Sequence, residues 1–277
     1  MESGMNARLL LSGATMATVT ESIEITPRGE RFFLYTSIAM ALTIVAGFGL
    51  QVAMGRSSFA SPAIVHAHAL VFMGWTALYL AQNVLVARRA RTLHRWLGWI
   101  GAGWMIAMVV LGTLVTVRLV RAGHAPFFFQ PLKFLLLNPV SILAFAGLTA
   151  AAIVYRKRTA WHARLHYCGM ALLLGPAFGR LMPLPLFIPY AYEATFAAVL
   201  IFPAIGVAAD LRRRRKVHPA WLWGIGVIVG STVLVEVVTY SPAGPALYRG
   251  VVAGSPGASV DPLAYPPFPG PPPAVRP

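Results

Sequence analysis

Seven stretches of the chain are long, apolar and almost free of charge, and the charged residues gather in the short segments between them. A helix crosses the hydrocarbon of a bilayer in about 20 residues. The pattern therefore predicts spans over Phe33–Met54, Ala63–Val86, Trp96–Val117, Pro131–Tyr155, Leu165–Met182, Pro189–Ala209 and Ala220–Tyr240. The fold class predicted is all-α, an integral membrane bundle of seven transmembrane helices. Residues 1–32 form an N-terminal tail, residues 33–240 the membrane domain and residues 241–277 a proline-rich tail. Pro139, Pro176 and Pro203 lie inside predicted spans, where each removes a backbone hydrogen bond.

Composition agrees with this pattern. Hydrophobic residues make up 57% of the chain and charged residues 11%, far from the soluble norm. The 23 Lys and Arg sort by loop: 16 fall in the N-terminal tail and the second, fourth and sixth loops, and 7, Lys133 among them, on the opposite side. Basic loops stay in the cytoplasm, so the N-terminus is placed inside a bacterial inner membrane and, with an odd number of spans, the C-terminus outside. The net charge of +15 sits in short clusters beside spans, where anionic lipid attracts it. The bilayer, not a nucleic acid, is the expected partner.

The acidic residues Glu2, Glu21, Glu24 and Glu30 argue against a signal peptide at the N-terminus, which is expected to be a disordered or interfacial tail. The segment after Tyr240 contains 11 of the 22 prolines. It is expected to be non-helical and extended, either solvated or docking a partner. Cys168 is the only cysteine, which excludes intramolecular disulfides, iron–sulfur clusters and thiolate zinc sites. It reads as a small packing residue. No phosphate-binding glycine loop and no nucleophile elbow occur.

Two regions read alike. Phe72-Met-Gly-Trp-Thr-Ala precedes Arg91-Thr-Leu-His94, and Phe145-Ala-Gly-Leu-Thr-Ala precedes Arg158-Thr-Ala-Trp-His162. Each is a span, a basic turn and a histidine opening the next span, which suggests a parallel repeat of spans two–three and four–five.

The histidines divide by side. His94, His162, His166 and His218 lie at the inner end and His66, His68 and His124 at the outer end. Ionisable groups within a bilayer are costly and mark functional candidates. His162 and His166, four apart, share a helix face, and His94 enters the neighbouring repeat at the same depth. Haem b needs two imidazoles from facing helices and cations for its propionates. His94 with His162 or His166, and Arg95 with Arg164, could supply them; a metal ion on the same imidazoles, or plain interfacial histidines, are the alternatives. His218 reads as a loop residue. At the outer end, His66 and His68 lie about 200° apart around a helix, so one of them can join Arg180, Glu193 and Glu236 in a polar cluster. Arg180 is expected to pair with Glu193 or Glu236. That cluster could take a metal, a polar solute or protons, or lock spans together; Tyr190, Tyr192 and Tyr240 read either as its neighbours or as interfacial aromatics. Gln82 and Asn83 are positioned to bond a neighbouring helix.

The run from His68 through Trp75 and Gln82 to Leu93-His94-Arg95-Trp-Leu-Gly98, with His162-Ala-Arg164-Leu165 and Pro176-Ala-Phe-Gly-Arg180, resembles a group of bacterial multispan inner-membrane proteins of uncharacterised function. The likeness covers roughly residues 35 to 215 and implies no activity. More loosely, the basic hairpins with a histidine at each span start are similar to membrane b-type cytochromes of the ascorbate-dependent kind. Those place histidines on four consecutive spans, whereas the fourth span here has none. The likeness therefore implies one inner haem rather than two.

Three functions follow as expectations. The first is haem-linked electron transfer with a quinol or cytoplasmic donor. The second is a transporter, channel or sensor built on the outer cluster. The third is a structural or assembly subunit of a membrane complex. A membrane di-iron hydroxylase ranks last, because only four of the seven histidines lie inside and Asp210 is the only carboxylate at that side beyond the N-terminal tail.

Overall fold

The computed structural model describes residues 27–57 and 60–268. The predicted N-terminal tail and the terminal Pro-Pro-Pro run fall mostly outside these residues. The described chain is helical and contains no strand. In order the helices are α1 (Pro27–Ala53), α2 (Ala63–Ala87), α3 (Arg91–Arg121), α4 (Pro131–Val154), α5 (Thr159–Leu172), α6 (Gly175–Leu181), α7 (Ala191–Val199), α8 (Ile201–Arg214), α9 (Pro219–Tyr240) and α10 (Ala243–Val252). Helix starts follow local rules. Pro131 and Pro219 open α4 and α9, where a missing N–H has no partner to lose. Gly123, at φ +75°, turns the chain after α3.

Six stretches are long and apolar enough to cross a membrane: Gly29–Ala53, Ala63–Ala87, Arg91–Arg121, Pro131–Lys157, Ala191–Arg214 and Pro219–Tyr240. Only 17–39% of the residues in their apolar windows are buried inside the protein. The remainder forms an exterior of Leu42 and Val45 on α1, Ile106 and Val110 on α3, and Val233 and Val237 on α9. An apolar exterior on this scale suits lipid and not water. The multi-pass, membrane-compatible bundle is thus present in the structure.

The fifth predicted span is not one helix. It breaks at Leu173–Leu174 into α5 and α6, because Pro176 has no N–H to give to the carbonyl one turn back. Pro203 similarly places a joint at Leu200 between α7 and α8, whereas α4 runs through Pro139 unbroken. α5 is the axis of the bundle. It packs against α4, α9 and α8, and residues 167–172 are all buried. Cys168 fits the notch left by Gly224 on α9, where a Cβ would lie 2.3 Å from its sulfur. α6 leans away from this axis onto α1.

The α1–α6 contact depends on Gly47, whose Cβ would come within 2.7 Å of the Ala177 carbonyl oxygen and 2.9 Å of its Cα. Backbone cannot rotate aside. Gly47→Leu is expected to cost about 1–3 kcal/mol through overpacking, seen as a lower unfolding temperature in detergent. An unchanged transition would mean that α1 and α6 do not pack this way.

The tail after Tyr240 corrects the sequence reading. It was expected to lack helix, but Ala243–Val252 forms α10. Pro245 sits in its first turn, where its missing N–H breaks no bond. Residues 253–268 then cross, as a strap, the end of the bundle where α4 begins. The Pro262 carbonyl accepts from the Leu132 N–H at 3.0 Å, satisfying an orphan donor at the start of α4. Leu263 O accepts from Gln130 Nε2 at 2.7 Å, and Tyr265 donates to Pro189 O at 2.9 Å. Phe268 meets Phe127 with ring centroids 4.8 Å apart.

Candidate functional site

The inner histidines come together. His94 is the fourth residue of α3 and His162 the fourth of α5, so the two basic turns deliver them at matching depth. Their ring centroids are 6.1 Å apart with planes at 83°. His166, one turn along α5, stands 4.7 Å from His162. His162 Nδ1 lies 2.8 Å from the Ala152 carbonyl at the end of α4. A carbonyl only accepts, so Nδ1 carries the proton and Nε2 is left for another partner. His94 Nδ1 is buried without a hydrogen-bond partner, and so is Gln82 Oε1 beside it.

These groups can be tested against haem. His94 and His162, one from each basic hairpin with ring centroids 6.1 Å apart, are the imidazoles that would hold a haem iron, which would supply one-electron chemistry there. His166, 4.7 Å from His162 on the same helix, would stand beside them. A backbone carbonyl fixing His162 is the usual outer support of a ligating imidazole. Among the described residues, no three His, Cys, Asp or Glu side chains are already placed to hold a bare metal ion.

The expected propionate partners fit less well. Arg95 is exposed at the start of α3. Arg164 is buried and committed elsewhere: Nε donates to Asp210 Oδ2 at 3.1 Å and Nη2 to Oδ1 at 2.7 Å. Asp210 also accepts from Trp221 Nε1 at 2.9 Å and from the His218 backbone N–H at 3.4 Å. This bidentate pair ties α5 to α8 and α9, and it makes Arg164 a packing residue of the inner end.

His218 is not a free loop residue. It is buried and caps α9, its Nδ1 accepting from the Ala220 N–H at 3.1 Å. Burial, and then the charge of Arg164, push its pKa down from 6.5 to about 4. A folded-state pKa below the unfolded value means that the unfolded chain binds the proton first. Stability contributed here is complete above about pH 6.5 and is lost as pH falls towards 4. His218→Asn keeps a capping acceptor and is expected to flatten the fall in unfolding temperature across that window. An equally steep acid limb in the variant would assign it to other groups.

The outer candidates do not form one cluster. Glu193, in the first turn of α7, and Glu236, near the end of α9, meet across Lys133. The Lys133 ammonium is 3.4 Å from Glu193 Oε1 and 2.8 Å from Glu236 Oε1. Lys133 was expected in a loop, and Arg180 was expected to be the partner of these acids. Instead Lys133 is 2% exposed inside α4. The Tyr192 and Tyr240 ring centroids lie 5.3 and 5.4 Å from its ammonium. Tyr240 donates to Gln130 Oε1 at 3.1 Å.

Arg180 rides on α6 towards α1. Its guanidinium lies 4.2 Å from the Phe48 ring centroid and donates to Pro176 O at 2.8 Å. His68 stacks on Phe72 at 4.2 Å, while His66 is exposed. Sequence reasoning missed Lys133 because a cation three residues into a span looks like the loop beside it.

Comparison with known protein families, with curated proteins and with solved structures finds no match to this chain.

Proposed function

We propose that the chain is a seven-span bacterial inner-membrane redox protein, N-terminus inside and C-terminus outside, with haem b held near the inner face by His94 and His162. The observation that carries this reading is the 6.1 Å separation of the two rings, with a buried, unpartnered Nδ1 on His94. Haem would supply one-electron exchange with a quinol or a cytoplasmic donor. The chain's own part is to orient two imidazoles from the two basic hairpins and to keep them dry. His166 stands one turn along α5 from His162, 4.7 Å between ring centroids. Counting the broken α5–α6 helix as a span gives seven. Moving Lys133 from the outer loop into α4 only strengthens the charge bias towards the inner side.

The test is an absorption spectrum of detergent-purified protein from haem-replete cells, oxidised and then reduced with dithionite. A Soret band with reduced α and β bands is expected. His94→Ala and His162→Ala are each expected to abolish it, and His166→Ala to shift but retain it. A colourless, folded protein would refute the reading. A second reading, a proton- or solute-responsive protein built on the outer end, is favoured by one observation: two carboxylates face a single ammonium there. It requires Glu236→Gln to alter the response and leave His94 variants unaffected.

A further inference from the structure

We infer that Arg180 forms a phosphate-binding site between α6 and α1, at the end of the bundle where α4 begins. The site follows from where the fold sends the carboxylates. Glu193 and Glu236 face Lys133, and Asp210 faces Arg164. Glu30 lies in the first turn of α1, at the opposite end. Asp261 accepts from the Leu263 and Ala264 N–H groups within the strap. Among the described residues no carboxylate pairs with Arg180, and none acts electrostatically on its charge. An ionisable group that does feel that charge is His68 on α2, a base and not an acid.

The guanidinium is held in place by α1. Gly47 lets the backbones of α1 and α6 touch. Phe48 and Gln51, three apart and so neighbours on the surface of α1, then meet Arg180. The Phe48 ring centroid lies 4.2 Å from the guanidinium carbon and covers one face of its plane. Gln51 Nε2 donates to the Arg180 carbonyl at 3.4 Å, which ties the end of α6 to α1. The fork has five N–H donors. One, on Nη1, goes to Pro176 O at 2.8 Å. The rest of the fork meets no other acceptor among the described residues, and Arg180 is only half-buried, so a ligand can reach it.

A cation without a counter-ion is costly beside hydrocarbon, and an anion from outside the chain removes that cost. The planar fork places two parallel N–H groups against two oxygens of one phosphate. Because Phe48, Pro176 and the α1–α6 contact already fix the arginine, little ordering remains to oppose binding. At the end of a span, phosphate comes from two sources: the headgroup of an anionic phospholipid, or inorganic phosphate in the water. The chemistry at the guanidinium is the same for both. The lipid has a further contact available, since Val45 and Val52 on α1 are exposed and offer an acyl chain an apolar surface.

The site is independent of His94 and His162. The test uses the full-length protein, delipidated in a neutral detergent, and follows its unfolding temperature in about 0.5 M sodium chloride. The Debye length there is roughly 4 Å, which screens binding to fully exposed arginines elsewhere. One probe is dioleoylphosphatidylglycerol, with dioleoylphosphatidylcholine as its control. The other is sodium phosphate, with sodium chloride of equal ionic strength as its control. A saturable rise with phosphatidylglycerol and not with phosphate assigns the site to a lipid headgroup; a saturable rise with phosphate assigns it to the free anion. In either case Arg180→Gln is expected to weaken the apparent affinity about ten-fold to a hundred-fold, as loss of a charge-assisted pair does. Arg180→Lys keeps the charge without the fork and is expected to fall between the two, which serves if the Gln variant does not fold. Arg118→Gln, at an exposed arginine near the same end, should titrate like wild type. Wild-type protein that responds to neither probe beyond its control would overturn the inference. So would a response that both Arg180 variants retain at wild-type strength.

Discussion

Arg164→Ala is expected to lower the unfolding temperature in detergent by on the order of 10 °C. The variant leaves Asp210 buried with its main partner gone, and removing one member of a buried ion pair costs about 3–5 kcal/mol. For a chain of this size each kcal/mol corresponds to roughly 2–4 °C. The environment supports the upper part of that range: Arg164 is 3% exposed and bidentate, with the Trp221 and Phe33 rings 5.7 and 6.0 Å from its guanidinium carbon. Removing both charges is a different experiment. Arg164→Met with Asp210→Leu replaces the pair by apolar volume and is expected to recover most of the loss. The Trp221 indole would still lack an acceptor. A single variant that unfolds within a degree or two of wild type would show that the pair is not buried as described.

Lys133→Met is the second large effect. It leaves two carboxylates facing each other beneath the strap. The loss is smaller than for Arg164, about 2–4 kcal/mol, because Glu193 and Glu236 side chains are 40% and 27% exposed and solvent screens part of the repulsion. Adding Glu236→Gln to Lys133→Met is expected to restore stability, since one carboxylate with an amide neighbour is tolerable where two carboxylates are not. The discriminating measurement is the pair of unfolding curves at neutral pH and at pH 4. The Lys133→Met deficit should shrink in acid as the carboxylates take up protons. A deficit independent of pH would assign it to lost packing of the lysine stem.

Much of this arrangement was legible in the chain. Span length and charge bias depend on local composition, so six of the predicted spans reappear within a few residues of their ends. The convergence of His94 and His162 was also readable, because matching basic turns deliver both at the fourth position of their helices. What failed depended on tertiary partners. Arg180 seemed bound to meet Glu193 or Glu236, since all three lie at the outer level. The break before Pro176 swings α6 onto α1 and delivers Arg180 to Phe48 instead. Arg164 looked like a propionate ligand because Asp210, 46 residues later, could not be placed opposite it. The prolines after Tyr240 suggested an extended tail, yet two of them open α10, the one region of a helix that accepts them.

The central position of α5 has a consequence for biogenesis. This helix carries Arg164, His162 and His166 within 14 residues and is too short to cross a bilayer without α6. Its three polar side chains are expected to enter the membrane with help from α4, the strongly apolar helix that precedes it. Even then the guanidinium has no counter-ion until Asp210 is synthesised and α8 is in place. The ribosome thus releases a partly inserted intermediate with an unpaired cation that only later synthesis can neutralise. Chains with Asp210 altered should be translated normally and then selectively cleared by membrane quality control, giving low abundance without any loss of message.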